Sequence, residues 1–305
     1  MIRKHNRRAA KAAFTIALGV AIILGGAAAA PAAHSKSAAT PIIIGTKNFP
    51  EQYILGQLYK QALEAKGFKV SYKENIGSTE LIGKALTSNR VTLYPEYTGV
   101  ILSVTFHRKT APATSLGTYA LAKRLYGAKG YTLTKQTPFE DKDVITVLRS
   151  TAAKYGLKTI ADLKKVPDLS IAAFPEFETR RIPQLKQLYG VSGFKFVPLA
   201  SISAYQLLDR GQVLAADTFT TDPQLASRKY VQLSDPKNMF GFQHVAPIVK
   251  KALISENGSN FTATLNKVSA LLTVKAMIAM NKAVIVDKKP AATVAGAFLK
   301  ANGLK

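Results

Sequence analysis

From Ile42 onward the chain alternates short apolar runs of strand type with longer segments whose apolar residues recur at helical spacing, and it does so in two successive series. Ile42–Thr46 is an apolar run. Pro50 then opens EQYILGQLYKQALEAKG, where Ile54, Leu55, Leu58, Tyr59, Ala62 and Leu63 share one helical face and Gly67 takes the C-cap position. Phe68–Tyr72 reads as a strand, TELIGKALTS after Ser78 as a helix, Val91–Tyr94 as a strand and Ser115–Gly127 as a helix. This order predicts a mainly parallel sheet flanked by helices.

The pattern then restarts. Val144–Leu148, Leu169–Phe174, Phe194–Pro198, Val213–Phe219 and Tyr230–Leu233 read as strands, with helical segments near Ala152–Tyr155, Ile160–Lys165, Arg181–Tyr189 and Ile202–Arg210. Val245–Val249 is a strand placed to lead back to the first unit, and Phe261–Leu272, Val274–Val286 and Pro290–Ala301 are helical. Two α/β units in series, with a ligand between them, describe a two-lobed binding protein. Periodicity alone does not separate that from a secreted α/β hydrolase.

With 305 residues, 47% of them apolar, the chain is long enough for two domains. It has no Cys, which excludes thiolate nucleophiles, Cys-ligated zinc, iron–sulfur clusters and disulfides. Its four His (His5, His34, His107, His244) are not spaced as a ligand pair, so neither a metal nor a cofactor is expected. Nucleophile-elbow, zincin, P-loop and dinucleotide-binding patterns are missing, and Glu176 and Glu178 read as solvated loop charges rather than a glycosidase pair. An enzyme is not expected.

Arg3, Lys4, Arg7, Arg8 and Lys11 precede an uncharged stretch, apolar and then Ala-rich, that runs from Ala12 to Ala33. Residues 1–33 therefore read as a signal peptide cleaved between Ala28 and Ala33; a retained membrane anchor is the alternative. No Cys is present to carry a lipid, so the expected product is a periplasmic protein. Cleavage removes five of 42 basic residues and no acid, leaving 37 against 18, or +19. Such a balance suits nucleic acid or an anionic surface. However, the Lys and Arg are scattered singly, which favours a diffusely basic surface with no nucleic-acid partner.

The segments IIIGTKNFPEQYILGQLYKQALEAKGFKV and NIGSTELIGKALTSNRVTLYPEYTG, followed by KYGLKTIADLKKV, AAFPEFETR, FTTDPQL and FGFQHVAPIV, cover most of the chain after residue 41. In their order and spacing they resemble the substrate-binding proteins of ABC importers for quaternary-amine osmoprotectants such as glycine betaine, choline and carnitine. The resemblance implies a type II periplasmic-binding-protein fold in which each lobe is a mainly parallel sheet flanked by helices, with the ligand cleft between lobes. It implies a discontinuous lobe 1 (residues 41–142 and 241–305), a lobe 2 (143–240), a membrane permease as partner, and a monomer. Another small zwitterion or an amino acid is the alternative ligand.

In that family aromatic rings surround a trimethylammonium group, which cannot donate a hydrogen bond and is held by ring quadrupoles, while basic residues hold a carboxylate. The resemblance implies Tyr97, Phe219 and Phe242 as cage rings, and Lys47 and Arg180 as carboxylate contacts, with Arg181 as competitor and Glu176 as a possible anchor for Arg180. Phe219 and Phe242 stand where that family commonly has cage Tyr residues, keeping the π-face and losing the hydroxyl, and two further departures bear on specificity. Val100 stands where a Thr hydroxyl often joins the carboxylate network, and Asp143 lies near a usual cage aromatic, suited to a cationic or N–H-bearing ligand group. Both shift the expected ligand away from plain glycine betaine, towards choline or a larger betaine with an extra polar ring.

Overall fold

The structure is a computed structural model that describes residues 39–199 and 203–305. The expected signal peptide, the linker up to Ala38 and the start of the helix expected at Ile202 lie outside the described residues. Among the described residues, ten strands build two five-stranded sheets. They are β1 (Ile42–Gly45), β2 (Val70–Lys73), β3 (Leu93–Tyr97), β4 (Tyr131–Leu133), β5 (Asp143–Leu148), β6 (Ser170–Ala173), β7 (Lys195–Pro198), β8 (Ala215–Phe219), β9 (Tyr230–Gln232) and β10 (Val245–Lys250). The first sheet has the order β2-β1-β3-β10-β4 and the second β7-β6-β8-β5-β9.

Four strands of each sheet run one way and one opposes them. β1 is parallel to β2 and β3, whereas β10 is antiparallel to β3 and β4. β6 is parallel to β7 and β8, whereas β5 is antiparallel to β8 and β9. The opposed strand is in each case the one that follows a crossing between the sheets. Half the pairings are thus antiparallel, a refinement of the mainly parallel expectation.

Period-2 alternation puts apolar side chains on both faces of each sheet, as strands covered on two sides require. Val245 and Val249 of β10 join the core that holds Leu58, Phe261 and Leu265, whereas Ala246 and Ile248 join the core under the opposite helices. Pro247 lies opposite Pro95 in the β3–β10 pair. Neither nitrogen carries a hydrogen, so this cannot be a hydrogen-bonded pair and both nitrogens point outward. β1 meets β3 only at Leu93, so Pro95 removes no ladder bond, whereas Pro247 accepts from the Thr134 N–H at 3.1 Å and lacks only the return bond, at the end of the β10–β4 ladder.

Helix Pro50–Glu64 buries the anticipated face, and Gly67 (φ 84°) turns the chain back so that the Phe68 N–H reaches the Leu63 carbonyl at 3.2 Å. β4 was not anticipated: three residues are too few to show a period. Helix Lys251–Leu271 starts earlier than the expected Phe261, because the polar SENG segment hides its first part and Gly258 (φ 70°) interrupts it. Between the sheets the two crossings run side by side. Thr137 N–H donates to the Val245 carbonyl at 2.8 Å, Asp141 N–H to the Gln243 carbonyl at 3.2 Å, and Glu140 pairs with His244 as an antiparallel bridge.

Candidate functional site

A cavity of about 490 Å³ opens between the two sheets, at the carboxyl ends of β1, β3 and β8. Strands that run the same way deliver their C-terminal loops to one edge, which is where open α/β sheets bind ligands. The loop after β1 supplies Lys47 and Phe49, and the first turn of helix Pro50–Glu64 adds Glu51. β3 ends on Tyr97, followed by Val100. The crossings contribute Asp141, Lys142, Asp143, Phe240 and Gln243, β8 leads to Phe219, Thr221 and Asp222, and the C-terminal helices add Asn281 and Ile285.

The rings line this space as the apolar part of its wall. Phe49 and Tyr97 stack with centroids 6.2 Å apart. Lys47 Nζ stands 4.6 Å from the Tyr97 ring centre and 5.6 Å from that of Phe49, so this pair of rings already faces a cation of the protein itself. That ammonium donates to Glu96 Oε1 at 2.6 Å, with both side chains buried, and the Tyr97 N–H donates to the same oxygen at 2.8 Å.

A hydrogen-bonded chain ties the two halves of the wall. Tyr97 OH donates to Glu51 Oε1 (2.9 Å), Asn281 Nδ2 donates to Glu51 Oε2 (2.8 Å) and to the Thr221 carbonyl (2.9 Å), and Thr221 Oγ1 donates to Asp141 Oδ1 (2.9 Å). Asp222 accepts from Tyr205 OH at 3.0 Å and from the Phe219 N–H at 2.9 Å. Burial raises the pKa of Glu51, and Asp222 adds to the effect. Burial, with the charge of Glu51 beside it, holds Asp141 well above the usual carboxylate range, and burial raises Asp222 as well.

The basic side chains at this wall are already engaged: Lys47 with Glu96 and Lys142 with Glu140 (2.9 Å). Arg181, just behind it, pairs with Asp143 at 3.1 Å. With Asp143 taken by Arg181, Glu51, Asp141 and Asp222 leave an excess of carboxyl groups among aromatic faces, an environment that accepts an organic cation. Among the described residues, no group of three His, Asp or Glu is placed to hold a metal ion.

Of the residues singled out from the sequence, Lys47, Tyr97, Asp143 and Phe219, with Val100, share this wall. Arg180 and Phe242 do not. Arg180 is exposed and lines a smaller adjoining cavity with Asp143 and Asp217, and among the described residues it forms no ion pair with Glu176. Arg181, one residue on, takes the inward direction. Phe242 lies beside the second crossing, its ring centre 5.8 Å from Lys142 Nζ, and Phe240 occupies the wall instead.

Phe49, Glu51, Asp141, Asp222, Phe240 and Asn281 were not anticipated. Asn281 had a signal: a polar residue on the apolar helix Val274–Asn281, 3% exposed. Asp222 stands within the FTTDPQL segment already singled out.

A two-lobed solute-binding protein is the class that these two sheets and the cavity between them define. The family described as the substrate binding domain of ABC-type glycine betaine transport systems matches residues 40–301, and the chain belongs to it. It is 29% identical to the glycine-betaine-binding protein of Pseudomonas aeruginosa, over 86% of this chain and 88% of that one. It is 28% identical to the glycine betaine-binding protein YehZ of Escherichia coli, over 87% and 92%. The solved structure of apo YehZ superposes with a TM-score of 0.77 at 26% identity, over 88% of this chain and all of that one.

Proposed function

We propose that this protein is the extracytoplasmic capture subunit of an ABC importer and that it takes a quaternary ammonium compound, of betaine or choline type, into the cavity between its sheets. The observation that carries this reading is the wall itself: Phe49, Tyr97, Phe219 and Phe240 offer ring faces, and Glu51, Asp141 and Asp222 add carboxyl groups that no neighbouring cation pairs among the described residues. Two relatives of similar length are named for glycine betaine. Lys47 and, on closure, Arg180 meet any acidic tail, while Phe242 adds an outer ring.

Residues 41–142 with 241–305 form one lobe and 143–240 the other, hinged at residues 139–146 and 238–246. A ligand that touches both lobes draws them together by its differential affinity for the closed state. The protein works as a monomer, is released to the periplasm by removal of residues 1–33, and hands its ligand to a membrane permease.

Isothermal titration with choline, glycine betaine, carnitine and a set of amino acids tests the reading. Binding of at least one quaternary compound, weakened roughly fivefold to tenfold by Tyr97→Ala, is the expected result. Binding of amino acids alone, or a Tyr97→Ala protein as tight as the parent, refutes it.

A further inference from the structure

Asp217 of β8 is 8% exposed, and its Oδ1 has no hydrogen-bond partner among the described residues. The carboxyl lines two cavities of the second lobe. The larger, about 350 Å³, also holds Phe174, Tyr205, Phe219 and Asp222, and it shares Phe219 and Asp222 with the main cavity, so the two adjoin across these residues. Phe174 and Phe219 are 51% and 38% exposed and flank the buried carboxyl. A buried acceptor without a donor is costly, and no cation among the described residues supplies one. Arg181 is held by Asp143, Gln184 and the Met239 carbonyl, and Arg180 is exposed in the cavity on the other side. Burial, then the charge of Asp143 and Asp222, push the Asp217 carboxyl well above its usual range, against the pull of Arg181.

We infer that this annex is a second cation subsite of the cleft, built for an ammonium group that carries N–H donors, with Asp217 as acceptor and Phe174 and Phe219 as ring faces. A quaternary head cannot use Asp217 because it has no hydrogen to donate. A primary or secondary ammonium donates to the Asp217 lone pair, and its own positive charge favours the ionised carboxylate that burial by itself disfavours. The inference rests on the quaternary-amine reading of the main cavity. It deepens that reading: the favoured ligand has a quaternary head and a second, protonated nitrogen on a short tether.

Titration calorimetry on the parent protein with choline, (2-aminoethyl)trimethylammonium and n-butylammonium tests this, with Asp217→Asn and Phe174→Ala alongside. The aminoethyl compound is expected to bind about tenfold more tightly than choline, and Asp217→Asn to remove the difference while choline affinity stays within about twofold. Phe174→Ala, at an exposed position that keeps the carboxyl, is expected to weaken only the amine-bearing compounds. Equal affinity of the parent for choline and its amino analogue, or an advantage that survives Asp217→Asn, overturns the subsite. n-Butylammonium separates the two readings. If it binds the parent and not Asp217→Asn while every quaternary compound fails, the subsite stands and the main-cavity reading falls. If choline binds and n-butylammonium does not, the subsite falls alone.

Discussion

Replacing Lys47 by Met removes the ammonium that sits 2.6 Å from Glu96 and leaves a fully buried carboxylate with the Tyr97 N–H as its one remaining donor among the described residues. Its second oxygen, Oε2, already has no partner among the described residues. Breaking a buried pair from one side costs about 3–5 kcal/mol, because the surviving charge has lost its partner and not regained water. For a domain of this size each kcal/mol moves the melting temperature by roughly 2–4 °C, so Lys47→Met is expected to melt on the order of 10 °C below the parent. Calorimetric melts at neutral pH and low ligand give the measurement. The double variant Lys47→Met with Glu96→Gln removes both charges and is expected to recover most of the loss. A single variant within about 1 kcal/mol of the parent refutes the reasoning, since the pair would then not be holding β1 to β3. The double variant also isolates ligand chemistry from stability: if it binds a carboxylated betaine as tightly as the parent does, Lys47 does not grip the carboxylate.

Three further outcomes follow from the same geometry. Asp141 keeps its proton to a higher pH in the folded protein than in the unfolded chain, so stability falls as pH rises from the unfolded carboxylate value near about 4 through the folded one. Asp141→Asn is expected to raise the melting temperature at pH 8 and not at pH 4; equal gains at both would contradict the assignment. A methyl at Gly99 would lie 2.7 Å from the Phe242 carbonyl oxygen and 2.8 Å from the Gln243 side chain, so Gly99→Ala should cost about 1–3 kcal/mol in a denaturant titration. An unchanged midpoint would show that the second crossing gives way freely. Small-angle scattering should record a smaller radius of gyration with choline or glycine betaine bound, and an unchanged radius at saturation argues against closure.

Much of the architecture is written in local pattern. The helical face of Ile54, Leu55, Leu58, Tyr59, Ala62 and Leu63, the Gly67 turn and the apolar runs of β1, β5 and β10 are short-range signals that one segment carries by itself. They make two α/β units almost unavoidable, because each apolar face needs a covering layer. The segments YPEYTG and FTTDPQL also put Tyr97, Phe219 and Asp222 near strand ends from sequence alone, and strand ends are where such sheets hold ligands.

What the sequence leaves open is which side chains face one another across long separations. Nothing local says that Asn281 bridges Glu51 and Thr221, that Asp143 spends itself on Arg181, or that Lys47 lies against Glu96 and the Tyr97 ring. Arg180 and Arg181, or Phe240 and Phe242, are nearly equivalent as letters; the turn of the helix Glu176–Arg180 decides which Arg pairs with Asp143, and the path of the second crossing decides which Phe meets the cavity. The direction of β5 and β10 was likewise decided by assembly, since an antiparallel strand has the same alternation as a parallel one. Periodicity reports which residues avoid water. The sign and spacing of charges around a cavity depend on contacts between residues as many as 230 positions apart, and only the folded chain brings those together.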